Sequence, residues 1–245
     1  MQKIVGVFSG KGGVGKTVCT LNLGLAIHEF GDKVVLMDCD LKHPNMGLHL
    51  GLYDFHTTVH DVLERRISPL EAVSIHSSGL RFIPGSIALR NFEYDNKYFK
   101  ESLNDIDSMI IFDGPSGSEG SAMALLEICD EIIVVTNPDI PAVTDAMKII
   151  QNAHDLDKKS VSLVLNRVQK KHELDIKHIE ESCKVPIIGI IPEDRNIKKG
   201  LHQQVPVTLY KPLSNSSIQF KKAAAAIVGR TYKPPRLYKI RRLFH

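Results

Sequence analysis

A glycine-rich segment near the start of the chain has the residue types and spacing needed to bind phosphate groups. It lies between a strand-like apolar run and a helix-like stretch, and it matches the pattern G-x-x-x-x-G-K-[ST]. In such a loop, glycines let backbone N–H groups and a helix N-terminus approach phosphate oxygens, which a Cβ would prevent. We expect Lys16 to reach the β- and γ-phosphates of a nucleotide and the Thr17 hydroxyl to bind Mg²⁺. The predicted phosphate-binding residues are Gly10, Lys11, Gly12, Gly13, Val14, Gly15, Lys16 and Thr17.

Three aspartates and a second lysine add charge near this loop. Asp38 and Asp113 each end a strand-like run, so their carboxylates are expected at the sheet edge where ligands bind. Asp40 points to the same side as Asp38 if the chain stays extended. Lys11 is not required by the general phosphate-loop pattern. From its place in the loop, we expect Lys11 to project towards solvent or towards a partner.

Apolar runs of Ile, Val and Leu alternate with helix-like stretches along the chain. Nearly continuous runs of this kind are typical of strands buried on both faces of a parallel sheet. The runs are 3–8, 33–37, 109–112, 132–136, 161–165 and 187–191, with a weaker one at 80–83. The helix-like segments lie near 16–30, 58–66, 118–129, 141–154, 172–183 and 215–228. The alternation predicts an α/β fold with a doubly wound, mostly parallel sheet flanked by helices.

The composition excludes several classes of protein. Hydrophobic residues make up 43% and charged residues 24% of 245 residues, which is typical of a globular protein and not of a disordered or fibrous chain. No run of about 18 apolar residues is present, so we expect no membrane-spanning helix. The first eight residues lack the apolar stretch of a signal peptide, which favours the cytosol. The four cysteines form no C-x-x-C pair, so we expect buried free thiols.

The basic charge of the chain is concentrated at its C-terminal end. Six of the 31 basic residues and none of the 28 acidic residues lie in 230–245, so residues 1–229 carry an acidic excess. Two prolines, Pro234 and Pro235, prevent the preceding helix from continuing. We therefore predict a domain at 1–230 and a linker with a short basic amphipathic tail at 231–245.

As a helix, the tail would place its apolar side chains on one face. It is too short to be stable alone in water, and an anionic membrane surface would favour its folding. A tail that docks on its own domain, or one that binds nucleic acid, is the alternative. The predicted membrane-binding residues are Leu237, Lys239, Ile240, Arg241, Arg242, Leu243 and Phe244.

Several motifs, in order, resemble those of the MinD/ParA family of ATPases. The segment K-G-G-V-G-K-T at 11–17 resembles the family's deviant Walker A loop, which carries the additional lysine. Asp38-Cys39-Asp40 followed by Asn45 resembles the switch I pattern D-x-D-x-x-x-x-N. The segment D-G-P-S-G at 113–117 resembles the switch II pattern D-x-P-x-G. Further matches are Asn137-Pro138, Asn166-Arg167 and the segment I-P-E-D at 191–194, and the resemblance, closest to MinD-like septum-site-determining proteins, covers about 3–228.

The resemblance implies a role for each of these residues. Asp38 and Asp113 would hold the Mg²⁺ shell through water, together with Thr17. Asp40 would orient the attacking water with the help of Asn45. The implied catalytic residues are Lys11, Lys16, Asp40 and Asn45, with Lys11 reaching across a nucleotide-sandwich homodimer. The implied nucleotide contacts further along the chain are the Gly117 amide to the γ-phosphate, Asn166 to adenine, and Pro192 and Asp194 beside the base.

These inferences together predict a MinD-like, Mg²⁺-dependent ATPase that dimerises on ATP. Its cofactors would be ATP and Mg²⁺, and its partners an anionic membrane surface at the inner face of the cell membrane and an activating protein. It would position cellular machinery, and cell division is the process that we expect. The alternatives are a ParA-like DNA-partition ATPase, which the acidic body argues against, and a FlhG-like regulator of flagellum placement. A metal-cluster carrier would need the paired cysteines that this chain lacks.

Overall fold

The computed structural model describes residues 3–86, 95–169, 171 and 173–235. Within these residues, eight strands form one sheet in the order β3-β4-β2-β5-β1-β6-β7-β8. All strand pairs are parallel except β3–β4, which is antiparallel at one edge. The strands are β1 (Ile4–Ser9), β2 (Val34–Asp38), β3 (Ser74–Ile75), β4 (Arg81–Ile83), β5 (Met109–Ser116), β6 (Glu131–Thr136), β7 (Val161–Val168) and β8 (Ile187–Pro192).

Helices cover both faces of the sheet. Those within the described ranges are α1 (Lys16–Glu29), α2 (Met46–His49), α3 (Val59–Leu63), α4 (Asn96–Ser102), α5 (Ser121–Ile128), α6 (Ile140–Asp155), α7 (Ile176–Cys183), α8 (Arg195–His202), α9 (Val207–Tyr210) and α10 (Asn215–Ile227). A 3₁₀ turn, Leu103–Asp105, follows α4. None of these helices is both long and apolar enough to cross a bilayer. The membrane-binding residues predicted at Leu237, Lys239, Ile240, Arg241, Arg242, Leu243 and Phe244 lie outside the described part of the chain.

The sheet separates two apolar cores. One core joins α1 and α10 to one face of the sheet, and the other joins α5, α6 and α7 to the opposite face. Every residue of β1, β2 and β6 is buried, because both faces of these central strands are covered. The continuous apolar runs in the sequence reflect this double coverage.

Helix α1 connects the phosphate loop to the far side of the domain. It begins at Lys16, directly after the loop, and its 14 residues extend for about 21 Å. Most of its residues are buried between the sheet and α10, from Cys19 to Ile27. A helix buried on nearly every side cannot move without disturbing the core. The phosphate loop therefore rests on one of the most firmly packed elements of the domain.

At the other end of α1, a group of side chains fastens the last described residues to the domain. The Tyr232 ring stacks on Phe30 with centroids 5.8 Å apart, and the Lys221 ammonium lies 6.0 Å from the Tyr232 ring centroid. Lys221, which is buried, pairs with Glu29 at 2.7 Å, and Arg230 pairs with Asp32 at 2.9 Å. We call this group the clasp; it comprises Glu29, Phe30, Asp32, Lys221, Arg230 and Tyr232.

Two β-bulges lie at the carboxyl edge of the sheet. Between the pairs Val7–Asp113 and Ser9–Ser116, β5 has one residue more than β1. Between the pairs Leu165–Ile190 and Val168–Pro192, β7 has one residue more than β8. Bulges change the direction of nearby side chains and are common beside functional sites. They lie here next to Asp113 and at Asn166-Arg167.

The predicted fold is confirmed, with differences in the shorter elements. Each predicted strand is present, including the weaker run that forms β4, and each predicted helix has a counterpart. The sequence analysis missed β3, α2, α4, α8 and α9. All four cysteines are free and buried, as expected.

Candidate functional site

The side chains predicted to bind phosphate and Mg²⁺ converge on Asp113. The Lys16 Nζ atom lies 2.9 Å from Asp113 Oδ1, and the Thr17 hydroxyl donates to Asp113 Oδ2 at 2.6 Å. A third donor, the Thr20 hydroxyl, lies 2.9 Å from Asp113 Oδ1. Asp113 is fully buried, so these hydrogen bonds replace the water that its carboxylate would otherwise bind.

Asp113 lies inside its strand, not at the end of it. We expected the strand to finish at this aspartate, but β5 continues to Ser116. The bulge at Gly114-Pro115 allows β5 to remain paired with β1 beyond Asp113. The carboxylate still faces α1, where Lys16 and Thr17 lie in the first turn and Thr20 lies one turn later.

Lys16 is a buried cation held by carboxylates. Burial by itself lowers the pKa of Lys16, but the neighbouring Asp113 and Asp40 carboxylates outweigh burial and raise it above its ordinary value. The Asp40 Oδ2 atom lies 3.7 Å from Lys16 Nζ. Lys16 therefore keeps its charge at neutral pH, as a phosphate-binding lysine must.

Asp38 is buried with one oxygen satisfied and the other not. Its Oδ2 accepts from the Met46 backbone N–H at 2.9 Å, while its Oδ1 has no hydrogen-bond partner among the described residues. Burial, followed by repulsion from Asp113, raises the pKa of Asp38 to about 8. A buried oxygen without a donor suits a carboxylate that receives a water of a Mg²⁺ shell.

Asp40 and Asn45 lie in the segment between β2 and α2. The Asp40 Oδ1 atom accepts from the His43 backbone N–H at 3.2 Å, and burial raises the pKa of Asp40 despite the opposing effect of Lys16. Asn45 is exposed, and its amide donates to the His43 carbonyl at 2.8 Å. Asp40 thus borders the Lys16 site, whereas Asn45 would have to turn towards it.

The middle of the phosphate loop rests on two asparagines. Asn166 Nδ2 donates to the Val14 carbonyl at 2.7 Å, and Asn137 Nδ2 donates to the Asn166 carbonyl at 2.9 Å. The bulge in β7 turns Asn166 inward, where it is buried. Gly15 has φ +94°, and a Cβ there would lie 2.3 Å from Asn166 Nδ2, so only glycine fits.

Asn166 also retains a free acceptor. Its Oδ1 atom is buried and has no partner among the described residues, although its Nδ2 is used by the loop. The residue predicted to bind adenine therefore supports the phosphate loop and offers one oxygen to a donor such as an amino group. Both functions are compatible, because they use different atoms.

The outer part of the loop is exposed. Lys11, Gly12 and Gly13 are exposed, and Lys11 makes no ion pair or hydrogen bond with any described residue. Gly117 N–H donates to the Ser9 carbonyl at 2.9 Å, so it would have to exchange that bond to contact a γ-phosphate. Lys11 therefore projects away from the domain, as its position in the loop predicts.

A cavity lies beyond the carboxyl end of β8, where we expected the nucleotide base. Its volume is about 700 Å³, which is within the usual range for a small-molecule site. The residues lining it include Pro192, Asp194, Asn196, Tyr210, Pro212 and Asn215. The predicted residues Pro192 and Asp194 are thus both at this cavity.

Asp194 has a second role that its sequence position did not reveal. Its Oδ1 caps α8 by accepting from the Asn196 backbone N–H at 2.8 Å, and its Oδ2 accepts from the Ser216 hydroxyl at 2.7 Å. Burial opposes these bonds, but together they lower the pKa of Asp194. The carboxylate joins the first turns of α8 and α10 on either side of the cavity.

The sequence analysis did not predict the contacts that two residues make in the site. Thr20 was hidden because a threonine inside a buried helix has no distinctive pattern; only its position, four residues after Lys16, placed it on the same face. Asn137 was noted as part of a motif, but its bond to the carbonyl of Asn166 depends on the adjacency of β6 and β7.

A family model covers most of the chain. The CobQ/CobB/MinD/ParA nucleotide-binding domain matches residues 5–207, a span that contains every described element of the site except the far wall of the cavity. Among curated proteins, an uncharacterised ATP-binding protein of Methanocaldococcus jannaschii is 31% identical over 238 residues, covering 95% of this chain and 90% of its own length.

Two solved structures extend the similarity to the backbone. The septum site-determining protein MinD of Pyrococcus horikoshii, complexed with Mg-ADP, aligns with a TM-score of 0.82 and 31% identity over 93% of this chain and 96% of that one. The MinC:MinD cell division protein complex of Aquifex aeolicus gives a TM-score of 0.85 and 26% identity, over 96% and 98% of the two chains.

Proposed function

The chain belongs to the CobQ/CobB/MinD/ParA family of nucleotide-binding domains, and from that premise we propose a specific activity. It is a MinD-like ATPase that binds Mg-ATP, dimerises on ATP and hydrolyses it slowly until dimerisation and a protein partner stimulate it. The dimer associates reversibly with the membrane through the C-terminal tail and positions cellular machinery in cell division.

The cluster around Asp113 supports the choice of nucleotide and metal. Lys16 carries a positive charge to the phosphate site, and Thr17 and Asp113 supply the oxygen ligands that Mg²⁺ prefers. The unsatisfied Asp38 oxygen adds an acceptor for metal-bound water. Mg²⁺ held by these residues would supply positive charge that offsets the negative charge developing during phosphoryl transfer.

Hydrolysis then requires this chain to exchange several internal bonds. Lys16 moves from Asp113 to the phosphates, and the Gly117 N–H leaves the Ser9 carbonyl for the γ-phosphate. Asp40, which borders Lys16, accepts a hydrogen bond from the attacking water, and Asn45 holds that water from the exposed side. Asn166 and the cavity at Pro192 bind the adenine base.

The single observation that supports ATP-dependent dimerisation is the environment of Lys11. It is exposed and unpaired among the described residues, whereas the other lysine of the loop, Lys16, is buried and paired with Asp113. Its own ammonium projects away from the domain. We assign it to the phosphates of a second copy, so that two copies complete each other's active site.

Similar proteins support the remaining parts of the proposal. The P. horikoshii MinD was crystallised with Mg-ADP, and the A. aeolicus MinD was crystallised with MinC. A MinC-like protein is therefore the kind of partner that we propose for this chain. The basic amphipathic sequence at 236–245 provides the membrane contact, and two copies bind more tightly than one through effective concentration.

The test combines oligomeric state with vesicle binding. Wild type, Lys11→Ala and the matched control Lys159→Ala are compared with ATP and with ADP, by light scattering after size exclusion and by co-sedimentation with anionic vesicles. Lys159 is also exposed, but it precedes β7 at the edge of the sheet away from the phosphate loop. We expect wild type and Lys159→Ala to dimerise and sediment with ATP only, and Lys11→Ala to do neither.

Removal of residues 236–245 separates the membrane from the dimer. The shortened chain should dimerise with ATP and fail to sediment with vesicles. Unchanged sedimentation would contradict the role of the tail. If wild type instead shifts DNA in an ATP-dependent and salt-sensitive manner and leaves vesicles in solution, a ParA-like function replaces this one.

A further inference from the structure

Three side-chain donors bind the Asp113 carboxylate at the same time. Lys16 Nζ and the Thr20 hydroxyl both lie 2.9 Å from Oδ1, and the Thr17 hydroxyl lies 2.6 Å from Oδ2. The carboxylate is fully buried, so no bulk water replaces a donor that leaves. Its orientation therefore depends on which of these three side chains remain.

Under the proposed function, two of the three donors acquire new binding partners when Mg-nucleotide binds. Lys16 turns to the phosphates, and the Thr17 hydroxyl becomes a metal ligand. Asp113 Oδ1 then loses Lys16, one of its two donors, at the moment when the carboxylate must be correctly placed. A buried carboxylate without donors is costly and free to rotate.

Thr20 is the donor that keeps its hydrogen bond to Asp113 when Mg-nucleotide binds. It lies one helical turn beyond Lys16 on α1, about 6 Å further along the axis, and its short side chain cannot follow the lysine to the phosphates. The residue is fully buried, and its hydroxyl has two acceptors, Asp113 Oδ1 at 2.9 Å and the Lys16 carbonyl at 3.1 Å. That carbonyl already accepts a backbone bond within the helix, whereas Asp113 Oδ1 needs a donor.

We propose that Thr20 is a positioning residue for the metal site: its hydroxyl holds Asp113 Oδ1 while Lys16 and Thr17 transfer to the Mg-nucleotide. Thr20 touches neither nucleotide nor metal and acts only through Asp113. This inference rests on the proposed nucleotide and metal site and adds a residue to it. It concerns Mg²⁺ affinity in the bound state, not the folding of the free protein.

The experiment measures Mg²⁺ dependence directly. Fluorescent mant-ADP is added to wild type, Thr20→Val and Thr20→Ser, first in EDTA and then with increasing Mg²⁺. Valine keeps the shape of threonine without the hydroxyl, and serine keeps the hydroxyl. We expect the Mg²⁺ midpoint of the fluorescence change to rise about tenfold in Thr20→Val and to stay within about twofold in Thr20→Ser, which corresponds to the loss of one hydrogen bond to a charged group.

A matched control separates positioning from a general effect of burying a methyl group. Thr208 is also buried, and its hydroxyl lies 3.0 Å from the Asn22 side-chain oxygen, away from Asp113. Thr208→Val should change the thermal midpoint of unfolding without moving the Mg²⁺ midpoint. Thr20→Ala provides a second hydroxyl-free variant if Thr20→Val is poorly folded by circular dichroism.

Each outcome either supports or overturns the positioning role of Thr20. A folded hydroxyl-free variant whose Mg²⁺ midpoint equals that of wild type overturns the positioning role and leaves the proposed function intact. A similar rise in Thr208→Val or Thr20→Ser overturns it as well, because the effect would not depend on the hydroxyl facing Asp113. If wild type itself binds mant-ADP at no Mg²⁺ concentration, the proposed nucleotide site fails and this inference fails with it.

Discussion

The buried and exposed parts of the site differ in how their polar side chains are paired. The floor, which we define as Lys16, Thr20, Asp38 and Asp113, is buried, and its side chains find their partners within the chain except at Asp38 Oδ1. The rim, defined as Lys11, Gly12, Gly13 and Asn45, is exposed, and Lys11 has no partner among the described residues. Folding of one chain therefore pairs most polar groups of the floor, whereas the proposed dimer would supply partners to the rim.

This contrast means that the two regions should respond differently to mutation. Removing the Lys16 cation from the floor should reduce stability and nucleotide binding together, because buried charges depend on each other where bulk water is excluded. Changes in the rim should leave stability intact and affect only steps that need a second molecule or a moving loop.

The largest effect is expected from Lys16→Met. The substitution leaves Asp113 and its acidic neighbours without their cation, so we expect a loss of about 3–5 kcal/mol in unfolding free energy and no detectable mant-ADP binding. Urea unfolding at pH 7.5 provides the measurement. The control is Lys33→Met, which breaks a pair with Asp107 of similar length, 2.7 Å, at an exposed site. That change should cost about 1 kcal/mol or less, and equal losses would contradict the contrast between the two environments.

Asp38 links the floor to pH. Its pKa is raised to about 8 by burial and by Asp113, whereas in the unfolded chain it returns to about 4. Between these values the folded protein binds more protons than the unfolded chain, so stability falls as pH rises. This contribution is largest below pH 4 and is lost by pH 8, at up to about 1.4 kcal/mol per pH unit.

Asp38→Asn removes this titration while nearly preserving the shape of the side chain. We therefore expect the unfolding free energy of the variant, relative to wild type, to increase steadily between pH 5 and pH 8. Urea unfolding without nucleotide at four pH values tests the expectation. Taking the difference between the two proteins cancels the contribution of groups that do not interact with Asp38. A difference independent of pH would refute the raised pKa.

The junction between floor and rim is sensitive to a single methyl group. A Cβ at Gly10 would lie 2.2 Å from the Asp145 carbonyl oxygen of α6, whereas a Cβ at Gly12 would meet nothing within 4 Å. We expect Gly10→Ala to cost about 1–3 kcal/mol, because α6 or the loop must shift. Gly12→Ala should stay within about 0.5 kcal/mol. Thermal unfolding of both variants gives the comparison, and a harmless Gly10→Ala would show that α6 yields easily.

The smallest effect on stability is expected at the rim. Asn45 is exposed, and its side chain is bonded only to the His43 carbonyl among the described residues, so Asn45→Ala should change unfolding free energy by about 0.5 kcal/mol or less. ATP hydrolysis should nevertheless slow by about tenfold or more, since the side chain that holds the water is lost. Phosphate release reports the rate, and mant-ADP affinity should remain that of wild type. Unchanged hydrolysis would remove Asn45 from the catalytic residues.

Patterns that act over short distances in the chain were sufficient for the frame of this site. The run of apolar residues before the loop predicted β1, and the G-x-x-x-x-G-K-[ST] spacing predicted the start of α1 at Lys16. Strand β3 was missed because two residues at a sheet edge, Ser74–Ile75, have no periodicity to detect. Its formation depends on pairing with β4, which is a tertiary event.

The bulges and the hydrogen bonds of the floor could not be read from the sequence for a related reason. β5 continues past Asp113 through a Gly-Pro pair, although proline normally interrupts a central strand; the bulge accommodates it. The bond from the Ser216 hydroxyl to Asp194 joins residues 22 positions apart. Such contacts follow from the arrangement of strands and helices in space, and no local pattern encodes them.

The clasp also sets the length of the tether to the C-terminal tail. Because Tyr232 is stacked on Phe30, the chain is held against the domain as far as this residue, beyond the last turn of α10. Only four residues, 233–236, then separate Tyr232 from Leu237, the first apolar residue among those predicted to bind the membrane, and these five residue steps extend for at most about 18 Å. Any surface that binds the tail therefore lies within a short reach of the Phe30 end of α1, which restricts how far the domain can tilt above it.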